Sequence, residues 1–241
     1  MTGYLLSVAE LNSGSEAQKL LGEAIQKLDA HRLDKVNRLK VGKARNQAVG
    51  AGLLLQLAAQ GTKAQMQLTQ GQMSWKQNVW DEESNFVKIS FSDLLERLGA
   101  PVQIAYSHGP QGKPDFVGEM GHFNLSHSEE LVCAVFDRHE IGVDIQWMRP
   151  LQDMRLAKRY FSEREREALA SCVGQEEREK LFYRIWVKKE SYAKLTGEGI
   201  AAVLEQDTFT LAQQVVWQEQ EISEGYCIAV CQYRKENHKT V

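Results

Sequence analysis

Apolar positions along the chain begin in an extended run, "YLLSVA" at 4 to 9, and pass into a helical repeat between 16 and 30. There Leu20, Leu21, Ile25 and Leu28 recur at the three- and four-residue spacing of one helix face. A second helical run, "RNQAVGAGLLLQLAA", is apolar around more of its circumference and carries two glycines, which predicts a buried helix closely approached by another element. From Gly61 to Gly99 the pattern weakens into a glutamine-rich elaboration. Its one clear element is a short helix in "SDLLERLG", opened by Ser92 and closed by Gly99. Beyond residue 100 the period shortens to two: "VQIAYS" at 102 to 107, "FNLSHS" at 123 to 128, "LVCAVF" at 131 to 136 and "EIGVDIQW" at 140 to 147 read as strands between turns. Helices follow at about 151 to 173 and 176 to 196. Ser162 and Glu165 form an S-x-x-E capping box that breaks the first, and Gly197 stops the second. The tail segments "TFTLAQ", "VVWQEQ" and "GYCIAVCQY" read as strands. Two successive strand-plus-helix blocks predict an α+β fold in two lobes, 1–137 and 138–241, with no proline- or serine-rich linker between them.

Composition adds limits. With 241 residues, 43% of them hydrophobic, the chain can bury a substantial core, and 8% aromatic and 25% charged residues are ordinary globular usage. A net charge of -3 gives no basic field for nucleic acid, so none is expected as a partner. The absence of an 18-residue apolar run and of a signal-like start predicts a cytoplasmic protein without membrane contact, and a monomer is expected. Cys133, Cys172, Cys227 and Cys231 lack CxxC spacing, which fits reduced thiols. Cys227 and Cys231, four apart in a strand, share a face as core residues.

Chemistry enters at "WVKKESYAKLTGEG", 186 to 199. Trp186, Glu190 and Lys194 fall within roughly 80° of one another on a helix, so a carboxylate and an ammonium share a face with a large aromatic. Alone, the pair reads as an i,i+4 salt bridge stabilising the helix by about 0.2 to 0.5 kcal/mol. Asp144 in "IGVDIQW" stands in an otherwise apolar strand, with Gln146 on its face and Val143 and Ile145 on the other. It is either an edge carboxylate satisfied by backbone amides or, with Glu190, an oxygen ligand of a hard divalent cation such as magnesium. Lys113 in the turn "GPQGKPDF", Ser126 and His127 in "NLSHS", and the basic cluster Lys35, Arg38, Lys40, Lys43 and Arg45 are candidate phosphate partners, each of which alone also reads as a solvated or structural residue.

The ordered series Gly112-Lys113-Pro114, Asn124-Leu125-Ser126-His127-Ser128, Gly142-Val143-Asp144-Ile145 and Trp186-Val187-Lys188-Lys189-Glu190-Ser191-Tyr192-Ala193-Lys194, with Gly197, resembles the 4'-phosphopantetheinyl transferases. It is similar to the two-lobed type that activates surfactin synthetase and related carrier-protein systems.

The resemblance implies a pseudo-twofold pair of α+β lobes with coenzyme A between them. It further implies transfer of the phosphopantetheine arm to a serine of an apo acyl or peptidyl carrier protein, releasing adenosine 3',5'-bisphosphate. On that pattern Asp144, Gln146 and Glu190 hold magnesium, and Glu190 is the base. Lys194, and less directly Lys189, contact phosphate. Gly112, Lys113, Pro114, Ser126 and His127 hold the 3'-phosphate and adenine end, with Arg45, Lys35 and Arg38 completing the grip. Many relatives have glutamate where this chain has Gln146, so the site carries one negative charge fewer. Glu165 also matches an acidic position of the family, and its capping box explains it equally well. Carrier contacts are sought between Leu151 and Cys172. A coenzyme A or adenine-nucleotide binding module without strong transfer activity is the alternative; a magnesium-dependent nuclease is disfavoured by the acidic composition.

Overall fold

The first extended run forms strand β1 (Thr2–Ser7), whose Leu5 and Leu6, on opposite faces, are both buried. The computed structural model of the chain describes residues 1–68, 86–109, 111–151, 153–222 and 225–234. It divides into one unit of Met1–Ser107 with Pro114–Arg138 and another of His108–Lys113 with His139–Val241. Both strands and helices build each unit, and the fold is α+β.

In the first unit, β1 leads through a short turn to α1 (Ser15–Gln26), α2 (Ala30–Arg38) and α3 (Lys43–Leu68). Then come β2 (Phe86–Ile89), α4 (Phe91–Arg97), β3 (Tyr106–His108), β4 (Pro114–Phe116), β5 (His122–Ser128) and β6 (Leu131–Asp137). A four-stranded sheet has the order β2-β1-β6-β5, with β1 and β2 parallel and the other pairs antiparallel. Gly50 and Gly52 of α3 do what their pattern predicts. A methyl at Gly50 would come within 2.8 Å of Val8, and one at Gly52 would strike Leu28, so the residues just after β1 and α1 approach the helix backbone closely. Leu6, Val8, Leu28, Leu53, Leu54, Phe91 and Leu94 meet there in one core.

Several sequence expectations change. Ser90, not Ser92, caps α4 by accepting from the Asp93 amide at 3.1 Å, while the Ser92 hydroxyl donates to Glu10 at 2.9 Å. Strand β2 lies in the stretch where only a helix was expected; the rest of the glutamine-rich elaboration, 69–85, falls outside the described residues. "VQIAYS" becomes strand only at Tyr106. Gln56 explains the delay: its side chain accepts from the Val102 amide and donates to the Val102 carbonyl, both at 2.8 Å, replacing a ladder partner.

The second unit contains β7 (Gly142–Trp147), α5 (Arg155–Tyr160), α6 (Glu163–Ser171), α7 (Gln175–Thr196), α8 (Ile200–Val203), α9 (Thr208–Leu211), β8 (Val215–Ile222) and β9 (Tyr226–Tyr233). Its antiparallel sheet has β9 in the middle, β7-β9-β8, and α7 packs on β7 and β9. The Ser162–Glu165 capping box forms as expected, and Gly197 ends α7 in the left-handed conformation at φ 75°. "TFTLAQ", expected as a strand, is instead helix α9. Asp207 accepts from the Phe209 amide and the Thr210 hydroxyl, both at 3.1 Å, and this cap outweighs the β-branched composition. All four cysteines are free. Cys227 and Cys231 are buried on β9, and burial pushes the Cys227 thiol up to about 12. Among the described residues, no helix is long and apolar enough to cross a membrane.

Candidate functional site

The second unit brings together the residues that the sequence singles out most sharply. A Cβ at Gly142 would collide with the Ser191 carbonyl oxygen and the Leu195 amide, so α7 lies directly on the β7 backbone. Two residues further along, on the same strand face, Asp144 meets Lys194 in the same turn of α7. Its Oδ1 is 2.7 Å from the Lys194 ammonium, a bond between a buried carboxylate and a lysine whose side chain is 29% exposed. Lys194 is thus engaged by Asp144 across the strand–helix packing as well as lying one turn beyond Glu190.

Glu190 stands in the field of both. Burial pushes its carboxyl above the usual carboxylate range, the Asp144 charge pushes it further, and Lys194 partly offsets them. Two carboxylates and one ammonium therefore compete for charge on a half-buried surface. Trp186, one turn before Glu190, stacks on Phe182 at 6.1 Å and belongs to the apolar cluster that anchors this face.

Lys113 reaches the far end of α7. Its ammonium donates to the Leu195 carbonyl at 2.9 Å, and its stem lies in van der Waals reach of Gly197, whose positive φ is what favours glycine there. A cation at the last turn satisfies a helix-end carbonyl and complements the negative end of the helix dipole. Gly112, at φ 77°, makes the turn that precedes it, and Pro114 opens β4.

Gln146 is on the Asp144 face of β7 and partly exposed. Among the described residues, no group of three or more His, Cys, Asp or Glu side chains is placed to hold a metal. Asp144 and Glu190 are a pair of hard oxygen donors, and Gln146 adds an amide oxygen. A divalent cation fits this donor set, because it would relieve the like-charge repulsion that raises Glu190.

Lys189 corrects an expectation. It does not face ligand or solvent: its side chain is fully buried, 2.9 Å from the Glu165 carboxylate. It also donates to the backbone carbonyls of Leu204, at 2.7 Å, and Gln206. A helical wheel places it beside Glu190 but cannot show that the 204–208 segment covers that flank.

The remaining candidates lie in the first unit. Lys35 lies in the last turn of α2, and burial followed by the charge of Arg32 holds its ammonium below the usual lysine range. Arg38 is exposed and paired with Asp34. Arg45 lies in the first turn of α3, and its Nε is buried without a hydrogen-bond partner. Ser126 and His127 are adjacent within β5, opposite Cys133 and Val132, so they project to opposite faces; Ser126 is buried and His127 exposed. Sequence reading passed over Arg32, which is 3% exposed, has a buried Nε without a hydrogen-bond partner, and stands over the Tyr106 ring at 5.4 Å. The signal was its spacing, three residues before Lys35 on the same helix face.

This assembly of Gly142, Asp144, Glu190 and Lys194 lies within a matched family segment. Residues 140–237 match the model of the 4'-phosphopantetheinyl transferase superfamily. Among curated proteins it is similar to the 4'-phosphopantetheinyl transferase HetI of Nostoc sp., 44% identical over 111 residues that make up 44% of this chain and 46% of that protein. It is also similar to two Bacillus subtilis 4'-phosphopantetheinyl transferases. Sfp is 32% identical over 46% of this chain and 54% of its own length, and ffp is 32% identical over 54% and 62%. The aligned part of the chain spans about half the length of the first of these relatives.

Proposed function

We propose that the protein transfers the 4'-phosphopantetheine arm of coenzyme A to a serine of an apo acyl or peptidyl carrier protein. The observation that carries this reading is the Asp144–Lys194 pair beside a Glu190 whose carboxyl is raised, within the segment similar to known transferases. The serine hydroxyl attacks the β-phosphorus, a new ester bond forms there, and the bond to the bridging pyrophosphate oxygen breaks. Adenosine 3',5'-bisphosphate leaves with that oxygen. Glu190 accepts the hydroxyl proton. Lys194 offers its ammonium to the charge that develops on the departing phosphate. A divalent cation, which we take to be magnesium, would be held by Asp144, Glu190 and Gln146 and supplies neutralisation of the pyrophosphate oxygens.

Lys113, Gly112 and Pro114 supply a fixed cationic turn for phosphate. Lys35 and Arg45, with Arg32, are proposed for the 3'-phosphate and adenine end, together with Ser126, His127 and, more peripherally, Arg38. The buried Nε groups of Arg32 and Arg45 support this, since each lacks a hydrogen-bond partner that a phosphate oxygen would provide. The carrier is proposed to be acidic and to dock on α5, where Arg155, Lys158 and Arg159 surround an exposed Leu156. We further propose a cytoplasmic monomer with neither nucleic acid nor membrane as partner.

The test is incubation of the protein with magnesium, coenzyme A and a panel of apo carrier proteins. A carrier heavier by one phosphopantetheine arm is the expected result. Coenzyme A binding with no mass change across the panel would replace the transferase by a binding module.

A further inference from the structure

The sheet side of α7 is set by Gly142 and by the Lys194–Asp144 pair. Another flank of the helix carries contacts that the proposed chemistry does not use. Glu165 Oε2, 2.9 Å from the Lys189 ammonium, also accepts from the Ser162 amide at 2.9 Å. Glu165 Oε1 accepts from the Thr208 amide at 2.9 Å and the Thr208 hydroxyl at 2.8 Å. With the Lys189 bonds to the Leu204 and Gln206 carbonyls, one ammonium and one carboxylate join α6, α7 and the start of α9. Both side chains have zero exposure.

Such a pair is an inefficient source of stability. Taking each ion out of water costs several kcal/mol, and an apolar pair of similar volume often serves as well or better. Burial in fact holds the Lys189 ammonium below the usual lysine range, although Glu165 stands beside it. What the ion pair offers over an apolar contact is direction. Consecutive helix residues are about 100° apart, so holding Lys189 toward the 204–208 segment fixes where its neighbour Glu190 points.

We propose that Glu165 and Lys189 are positioning residues: their buried ion pair sets the rotation of α7 that turns Glu190 and Lys194 toward Asp144. Its kinetic consequence rests on the transferase reading, whereas its geometric consequence does not.

The full-length Glu165→Gln/Lys189→Met variant tests this. It removes both charges together and retains an acceptor for Thr208. The Trp217 indole still donates to the Lys188 carbonyl and the Ser191 hydroxyl, both at 3.2 Å, so a second anchor on α7 remains. The expected variant melts above Lys189→Met alone, which leaves a buried carboxylate uncompensated. Its kcat falls by about tenfold or more while KM for coenzyme A changes by less than about twofold, as a small misplacement of catalytic groups would cause. Its crystal structure shows the 2.7 Å Lys194–Asp144 bond opened. A native rate with that bond retained would overturn the proposal. If the double variant does not fold, Thr208→Val removes only one bond to Glu165: a kcat lowered about threefold at constant KM supports positioning, and an unchanged kcat overturns it. If the native protein modifies no carrier, the transferase reading fails, and the Lys194–Asp144 distance in the variant still decides the role of the pair.

Discussion

Gly142 lies against the Ser191 carbonyl so closely that no side chain fits between β7 and α7. The neighbours it would meet, the Ser191 oxygen and the Leu195 amide and Cα, are backbone atoms, so a rotamer change cannot relieve the contact. Gly142→Ala should therefore push the helix off the strand, lower stability by about 1 to 3 kcal/mol and open the Asp144–Lys194 bond. Thermal melting and transfer rate, measured together, check both effects.

Glu190 should cost stability while serving chemistry. Burial and Asp144 raise its carboxyl, so the folded state holds a proton at pH values where the unfolded chain has released it. Stability from this group consequently declines as pH rises from the ordinary carboxylate range through the raised value. Glu190→Gln should flatten that decline in metal-free melts and raise the midpoint at neutral pH. Transfer should fall by about 10²- to 10⁴-fold, the usual effect of losing a general base.

Gln146 shares the strand face of Asp144 and has no charge to contribute. Gln146→Glu should tighten divalent-cation binding by about tenfold, equivalent to about 1.4 kcal/mol, because hard-ion affinity follows ligand charge. Calorimetric titration with magnesium or manganese, compared with the native protein, measures the change.

Lys113 has two separable duties. Lys113→Ala removes the hydrogen bond to the Leu195 carbonyl and should cost about 0.5 to 1.5 kcal/mol in thermal or denaturant unfolding. It should also raise KM for coenzyme A several-fold, by about 1 kcal/mol of lost phosphate attraction, with little change in kcat. Equal losses in kcat and kcat/KM would instead place its ammonium at the reacting phosphate.

Local signals in the sequence were strong where their physics is local. The Ser162–Glu165 box, the Gly197 stop and the alternation around Asp144 each depend on a few adjacent residues, and each is found. "TFTLAQ" misled because Thr and Phe favour strands, while the deciding group, Asp207, precedes the run. "VQIAYS" misled because its hydrogen-bond partner, the Gln56 side chain, lies on α3. The direct bond of Asp144 to Lys194 was not legible, since fifty residues separate them and family order paired Asp144 with Glu190 instead. Lys189 was not legible at all: a lysine in a charged helix reads as solvated until the 204–208 carbonyls and Glu165 are seen around it.

The turn at 108–113 groups with the second unit, although the family match begins only at residue 140. An excised polypeptide starting at the matched boundary would therefore leave behind the ammonium that closes the end of α7. The shortest piece recognisable by similarity thus lacks one tie that the whole chain supplies to α7, and a dissection that carries the upstream Lys113 along keeps the Leu195 carbonyl satisfied.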